Sequence, residues 1–439
     1  MTLVGWLLRQ QGSSRMSKPL FNQSPIYIVD GARTPFLKAS RRPGPFSASD
    51  LAVSAGKALL ARQPFAPEQI DEVILGCMIP SVDEANIARI VALRLGCGKT
   101  VPAWTVQRNC ASGMQALDAA VQSIRAGRSQ LVLAGGTDAM SRAPLLFNHS
   151  MVNWLADLAA AKGWSAKLQQ LMAFRPGMLK PVVALMHGLT DPTIHLNMGQ
   201  TAENLAYRFG ITRAEMDAFA LESQQRAASA QDQHHFPEIS TLYDHMGHCY
   251  ETDNGVRRDS SLEKLAKLKP MFDKPFGNMT AGNSSQVTDG AALLLLASEA
   301  AVKQHHLPVL GKIIDTSWVG LDPAEMGLGP VYATAALLKR HQLTLQDINF
   351  WEINEAFAAQ VLACLAALEQ EGLGKVDSAQ LNVDGGAIAL GHPVGASGAR
   401  LVLHLAHVLQ REKAKFGIAT LCIGGGQGGA MLIEQVEGV

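Results

Sequence analysis

Three stretches of the chain set a thiol or an imidazole among small residues and unsatisfied backbone N–H groups. The first is Arg108-Asn109-Cys110-Ala111-Ser112-Gly113, between a strand-like run, Val101 to Gln107, and a helical pattern, Met114 to Ala126. Cys110 therefore falls on a tight turn at a helix N-terminus. The partial positive charge there favours a thiolate, and Ala111 and Gly113 let a carbonyl approach the backbone. A single cysteine is ordinarily a buried structural residue; the turn and its neighbours favour a nucleophile here. The second stretch, Asn382 to Arg400, holds His392 in a glycine-rich loop restrained by Pro393, just ahead of a helix. An imidazole is the natural group to deprotonate a thiol near neutral pH. The third, Ala419 to Gly429, is a strand that ends at Cys422 and turns through Gly424-Gly425-Gly426, whose N–H groups can donate to an oxyanion. Asn354-Glu355-Ala356-Phe357-Ala358 closes a further strand; Asn354 can hold a water or a carbonyl, while Glu355 serves to fix the loop.

Several chemistries are excluded by the same residues. No His or Cys stands at metal-ligand spacing from His392, so no metal site is expected. His234-His235 and His305-His306 read as core or surface residues. The glycine-rich turn lacks the lysine of a phosphate-binding P-loop, and no GxGxxG opens a dinucleotide fold. Thirty-eight basic residues balance thirty-eight acidic ones, leaving no global field to attract nucleic acid or an anionic membrane. The six cysteines show no CxxC pairing, which favours free thiols and a reducing compartment: the cytoplasm, with the mitochondrial matrix as alternative. No apolar run reaches transmembrane length. Residues 1–25 contain Arg9, Arg15 and Lys18 but no acid, and read as a disordered leader in preference to an organellar transit peptide, with Met16 as an alternative start.

The elements that must position these groups alternate between β-branched runs and helical patterns, which points to α/β layers. An internal echo is more informative. Ile70 to Gly76 matches Ile348 to Asn354, Ala111-Ser112-Gly113 matches Ala396-Ser397-Gly398, and Leu131 to Gly136 matches Ile418 to Gly425, in the same order at nearly constant offset. Two similar α/β halves follow from this, with the site between them and its chemistry split along the chain.

From about Ile26 to Glu434 the sequence resembles the thiolase family, most specifically at Asn354 to Ala358, Gly391-His392-Pro393 and Cys422 to Gly426. The resemblance implies a five-layered αβαβα fold of two similar halves, residues 26–302 and 307–437. A helical loop insertion at about 143–270 interrupts the first half, and the assembly is a homodimer or tetramer. It implies Cys110 as acyl-accepting nucleophile, His392 as its activator, Cys422 as acid/base at the α-carbon, and Asn354 as holder of a water that binds the thioester oxygen with His392. The backbone N–H groups of Cys110 and Gly424 would form a second oxyanion hole. Ser285 and Arg257 match coenzyme A contacts, and Met198, Met326 and Phe357 match apolar walls. The implied reaction is thiolysis of a 3-oxoacyl-CoA, or the reverse condensation of two acetyl-CoA, with CoA as substrate and no bound cofactor. A ketoacyl synthase-like enzyme would carry a second His in place of Cys422, and an inactive acyl-CoA-binding relative would not need all three catalytic side chains.

Two departures bear on substrate. Acetoacetyl-forming members tend to carry His-Met-Gly where this chain has Asn197-Met198-Gly199. The segment Ala143 to Asn197 is more similar to the insertion of fatty-acid-oxidation complex β-subunits, whereas Asn354 stands where those subunits often have His. Within the insertion, Met151, Trp154, Leu155 and Leu158 share one helical face and Leu168, Leu171 and Met172 extend a second. Asp157 is the only acid between Ala143 and Thr190, against Lys162, Lys167, Arg175 and Lys180. Such a surface covers the acyl tunnel or packs in an oligomer, docks hydratase/dehydrogenase subunits, or touches a membrane peripherally.

Overall fold

The structure, a computed structural model, describes residues 24–40 and 42–436. The leader expected over 1–25 lies, apart from Ser24 and Pro25, outside the described residues. The chain opens with β1 (Ile26–Arg33), β2 (Leu37–Lys38), α1 (Ala48–Leu60), β3 (Glu72–Gly76), α2 (Ile87–Arg94), β4 (Ala103–Val106), α3 (Ser112–Arg125) and β5 (Leu131–Ala139). A long excursion follows: β6 (Leu145–Leu146), α4 (His149–Ala160), α5 (Trp164–Met172), β7 (Val182–Val183), α6 (Ala184–Gly188), α7 (Met198–Phe209), α8 (Arg213–Asp232), β8 (Leu242–Tyr243), β9 (Cys249–Tyr250) and α9 (Leu262–Ala266). The chain then returns through β10 (Thr288–Ser298) and α10 (Glu299–His305) to β11 (Gly311–Gly320), α11 (Gly329–His341), β12 (Phe350–Ile353), α12 (Ala358–Gln370), α13 (Ala387–Leu390), α14 (Val394–Glu412), β13 (Phe416–Ile423) and β14 (Gln427–Glu434).

The principal sheet runs β12-β13-β14-β11-β1-β10-β5-β3-β4, with β2 beside β10. Reading outward from its middle, β1-β10-β5-β3 on one side matches β11-β14-β13-β12 on the other, and β4 is an extra edge strand. The echo seen in the sequence is thus a repeated strand order. The halves join where β1 and β11 pair antiparallel through Ile26 with Ile313, Tyr27 with Lys312 and Ile28 with Gly311.

Side-chain alternation along the strands separates the layers. In the first half Val73, Leu75, Leu131, Leu133, Leu293 and Leu295 pack with Leu51 and Leu59 of α1 and with Ile87 and Val91 of α2. The alternate residues Ile74, Val132, Ala134, Leu294 and Leu296 turn inward to Ala116, Leu117 and Ala120 of α3 and Leu401, Val402 and Leu405 of α14. The same two helices receive Ala419, Leu421, Met431 and Ile433 from the second half. That half's outer face packs Ile418, Ala430 and Leu432 against Val331 and Leu337 of α11 and Val361 and Leu368 of α12. The result is αβαβα, with α3 and α14 as the shared middle layer. α14 is therefore buried along nearly its whole length, while α3 buries the face it turns to the sheet and keeps Gln122 exposed.

In the excursion, α4 and α5 form a hairpin in which the Trp154 indole N–H donates to Gln170 O at 2.8 Å and its ring meets Phe174 edge-on at 5.2 Å. Met151 is buried and Trp154 and Leu158 half-buried, while Leu155 on the same expected face is exposed. Leu168, Leu171 and Met172 are all exposed. Asn197 caps α7: its side chain accepts from Gln200 N at 3.0 Å, and Gln200 Oε1 accepts in turn from Asn197 N at 3.0 Å. The Asn at this position thus has a local physical role that a His would not fill in the same way. No helix among the described residues is long and apolar enough to cross a membrane.

Candidate active site

β4 is shorter than the expected strand, and α3 begins at Ser112, so Cys110 stands two residues ahead of the helix. Asn109 before it adopts a left-handed conformation, φ 44°, which Asn tolerates better than most residues. Ser112 holds the turn closed: its hydroxyl donates to Asn109 O and accepts from Arg108 N, both at 2.8 Å. The Asn109 amide crosses to the other half and donates to Gly424 O at 2.8 Å. Burial raises the Cys110 thiol above its ordinary value, against hydrogen bonds from the backbone of Gly424 and of Cys110 itself, which lower it. This corrects the expected thiolate. A helix terminus supplies a fraction of a charge, and desolvation of the sulfur outweighs it. The resting group is a thiol whose sulfur is met by the two backbone groups that the family resemblance pairs as an oxyanion hole.

His392 lies between α13 and α14. Its Nδ1 is 2.6 Å from Ser397 Oγ, and that hydroxyl donates to Pro393 O at 2.8 Å. With its one hydrogen committed to a carbonyl, Ser397 has only lone pairs for the ring, so Nδ1 carries the imidazole proton and Nε2 is the basic nitrogen. Nε2 has no protein partner among the described residues. Burial, with a smaller contribution from the Arg400 guanidinium, lowers His392 to about 4, so it is neutral near pH 7. Glu352 neutralises Arg400 at 2.7 Å.

Cys422 is the last residue but one of β13, after which Gly425 and Gly426 take φ of 90° and 76° to turn the chain into β14. A Cβ on Gly426 would stand 2.3 Å from Leu321 O, so the turn closes only with glycine. Burial, then the proximity of Cys110 and Cys364, raises the Cys422 thiol well above its ordinary value. It shares an apolar cluster with Met198, Met326, Phe357 and Met279. Asn354 follows β12, fully buried, and neither atom of its amide has a partner among the described protein groups. Buried polar atoms are rarely left so, and these, with His392 Nε2, are the groups free to meet an oxygen. Beside it Glu355 accepts from Ser223 Oγ at 2.6 Å, Asn382 Nδ2 at 2.9 Å and Ile388 N at 3.2 Å, fastening the loop as the sequence reading gave it.

A cavity of about 80 Å³ opens at Cys110, walled by Met78, Leu189, Pro192, Met198, Val394 and Gly424. Leu189 and Pro192 follow α6, so it is the end of the Ala143–Asn197 segment, beyond the α4–α5 hairpin, that closes over the cysteine. Ser285 is half-buried and tied to the Asn354 loop by its N–H to Ala356 O at 3.0 Å. Arg257, also half-buried, lies in a strip whose Gly255 O accepts from Gln286 Nε2 at 2.9 Å, and Gln286 O in turn accepts from His392 N at 3.1 Å. Arg257 is near enough to Lys38 to help burial lower that lysine below its ordinary value. Sequence reasoning missed Lys38, Ser397 as the partner of His392, and Asp138 behind Cys110. Only Ser397 left a signal, a hydroxyl at the same place in both echoes. Among the described residues no cluster of three or more His, Cys, Asp or Glu could hold a metal.

The model of the thiolase N-terminal domain matches residues 26–300, and that of the thiolase C-terminal domain matches 307–435. The chain belongs to the thiolase family. It is 42% identical to a β-ketoadipyl-CoA thiolase of Acinetobacter baylyi, over 93% of this chain and 99% of that protein. It is 39% identical to the human mitochondrial 3-ketoacyl-CoA thiolase, over 93% and 98%. The crystal structure of human mitochondrial 3-ketoacyl-CoA thiolase in complex with CoA superposes with a TM-score of 0.84 at 38% identity, covering 94% of this chain and 98% of that one. This thiolase is accordingly an acyltransferase of CoA thioesters, cleaving 3-oxoacyl-CoA with CoA or running the reverse condensation. Coenzyme A enters as a substrate, and the reaction calls for no other cofactor.

Proposed function

We propose that the enzyme works degradatively, as a 3-oxoacyl-CoA thiolase of fatty acid β-oxidation, through an acyl group carried on Cys110. The observation that supports an acyl group on Cys110 is the meeting of its half-buried sulfur with the Gly424 and Cys110 backbone groups, beside Cys422. In the first half-reaction His392 Nε2 takes the Cys110 proton as the sulfur attacks the 3-oxo carbon. The bond between C2 and C3 breaks and its electron pair moves onto the acetyl-CoA fragment as an enolate. Its thioester oxygen is held by the imidazolium and by a water on Asn354. Cys422 gives its proton to C2, releasing acetyl-CoA, and recovers one from His392. In the second, His392 takes the proton of the CoA thiol and the new thiolate attacks the Cys110 thioester. The oxyanion rests on the N–H groups of Cys110 and Gly424. Cys110 departs as thiolate and is reprotonated by His392.

Arg257, with Lys38 beside it, and Ser285 serve CoA, while Met198, Met326 and Phe357 wall the acyl site. Residues 26–302 and 307–437 form the two halves, with the insertion at about 143–270. The protein works as a homodimer or tetramer in the cytoplasm or the mitochondrial matrix. The exposed Leu168, Leu171 and Met172 pack in the homo-oligomer, or else face a partner such as hydratase/dehydrogenase subunits or a membrane surface. Incubation with a 3-oxoacyl-CoA should leave an acyl adduct on Cys110, seen by peptide mass spectrometry, and thiolysis of C4 to C16 substrates fixes chain length. Labelling that persists in Cys110→Ala would sink the assignment.

A further inference from the structure

Asp138, in the last turn-out of β5, is fully buried and serves groups from both halves. Its Oδ1 accepts from Ile79 N at 2.8 Å, from Met78 N at 3.2 Å and from the Cys77 thiol at 3.4 Å, and its Oδ2 accepts from Gly395 N at 2.5 Å. None of the ion pairs among the described residues includes it. A buried carboxylate without a cation is an expensive group to keep, and an apolar side chain would fill a strand position at less cost. What the carboxylate does that no apolar group can is hold N–H groups of two separate turns at once. Those turns are functional ones. Met78 walls the cavity at Cys110, and Gly395 lies three residues past His392, in the first turn of α14. The approach is possible only because the neighbours lack side chains: a Cβ on Gly395 would stand 2.7 Å from Asp138 Oδ2, and one on Gly136 would stand 1.9 Å from Gly395 O.

We propose that Asp138 is a positioning residue that clasps the His392 turn and the Met78 wall at fixed distance from Cys110, through the backbone N–H groups it accepts and without touching substrate. The inference rests on the roles given above to Cys110 and His392. Burial raises the carboxyl to about 6 against the hydrogen bonds that lower it. The titratable groups facing it are the Cys77 thiol, from the end of β3, and the Cys110 thiol ahead of α3. Protonation would set an O–H where N–H donors converge, and the clasp opens. The native value lies above the ordinary 3.8, so the folded protein takes up this proton more readily than the unfolded chain. As pH falls through 6, this group therefore lowers activity while adding to stability.

The test compares wild type, Asp138→Asn and Cys110→Ala by steady-state kinetics across pH and by thermal unfolding. Asparagine keeps the shape but turns an N–H₂ toward the N–H donors. A fall of about 10- to 100-fold in kcat is expected for Asp138→Asn, of the size a displacement near 1 Å produces. KM for CoA should stay within about twofold, and the acid limb of the wild-type kcat profile near pH 6 should be lost. A wild-type kcat with an unchanged acid limb, beside an inert Cys110→Ala, overturns the positioning role while leaving the role of Cys110 intact. Activity retained in Cys110→Ala overturns both. Should Asp138→Asn fail to fold, single-turnover acylation of the wild-type enzyme decides: absence of a limb near pH 6 overturns the proposal, and a limb there without unfolding supports it.

Discussion

Gly113 of α3 and Gly398 of α14 occupy the crossing of the two central helices: a Cβ on Gly113 would stand 2.9 Å from the Ala399 nitrogen, and one on Gly398 2.6 Å from the Met114 nitrogen. These are the glycines of the echoed Ala-Ser-Gly motifs, so the repeat meets itself at the centre of the molecule. The obstacle to each Cβ is backbone, which cannot swing aside. Gly398→Ala must push α14 away from α3, at about 1–3 kcal/mol or more. Because Cys110 and His392 sit at the starts of these helices, kcat should fall with the denaturation midpoint. An alanine variant with wild-type stability and turnover would show that the crossing has slack.

Ser397 fixes the tautomer of His392, so Ser397→Ala should act on the proton rather than on binding. With no acceptor at Nδ1 the proton can move to Nε2, which is the nitrogen that must be basic. The expected outcome is a kcat lower by about 10- to 100-fold with little change in KM. Nitrogen-15 spectra of labelled enzyme read the tautomer directly. Retention of the Nδ1–H form in Ser397→Ala would assign its control to some other group.

The raised Cys110 thiol and the depressed His392 predict a neutral resting pair. Alkylation of Cys110 by iodoacetamide in the absence of substrate should then climb steadily with pH, with no plateau at or below about pH 8. A plateau near pH 6 to 7 would instead mark a thiolate–imidazolium pair formed before substrate arrives. Cys422, still more strongly raised by burial, should react later than Cys110 at every pH.

The thiol and imidazole turns were legible in the sequence because of the residues beside them: the small Ala111 and Gly113 after Cys110, and the glycine-rich loop with Pro393 around His392. The two similar halves were legible from the echo, since β3, α3 and β5 recur as β12, α14 and β13 with the same neighbours; their stacking into five layers came only from the family resemblance. The state of Cys110 was not. A helix N-terminus is written in local sequence, whereas the desolvation that outweighs it comes from strands and loops hundreds of residues away. Asp138 was missed for the same reason. An Asp at a strand end ordinarily reads as a turn residue, and its partners, Ile79 and Gly395, offer only backbone. The exposure of Leu155 alongside the shelter of Met151 likewise follows from where α5 folds back, which helical periodicity does not specify.

His404 supplies the last prediction. It lies on α14 between Glu238, 3.2 Å from Nδ1, and Asp384, 3.1 Å from Nε2, while Arg33 binds both Glu238 at 3.2 Å and Asp253 at 2.7 Å. Arg411 and His235 reach Asp384 from the surface at 2.8 and 2.9 Å. Burial alone would depress His404, but Glu238 and Asp384 outweigh it and raise it to about 9. Its folded value thus lies above its unfolded one. The stabilisation is complete below about pH 6.5, the unfolded value, and is lost as pH rises through 9. Denaturation midpoints should accordingly decline between about pH 7 and 9.5. His404→Gln removes one of the two cations on each of Glu238 and Asp384, which keep Arg33 and Arg411, with an expected loss of about 1.5–3 kcal/mol at neutral pH. The same variant should flatten the alkaline decline, and a decline of unchanged slope in His404→Gln would trace it to another group.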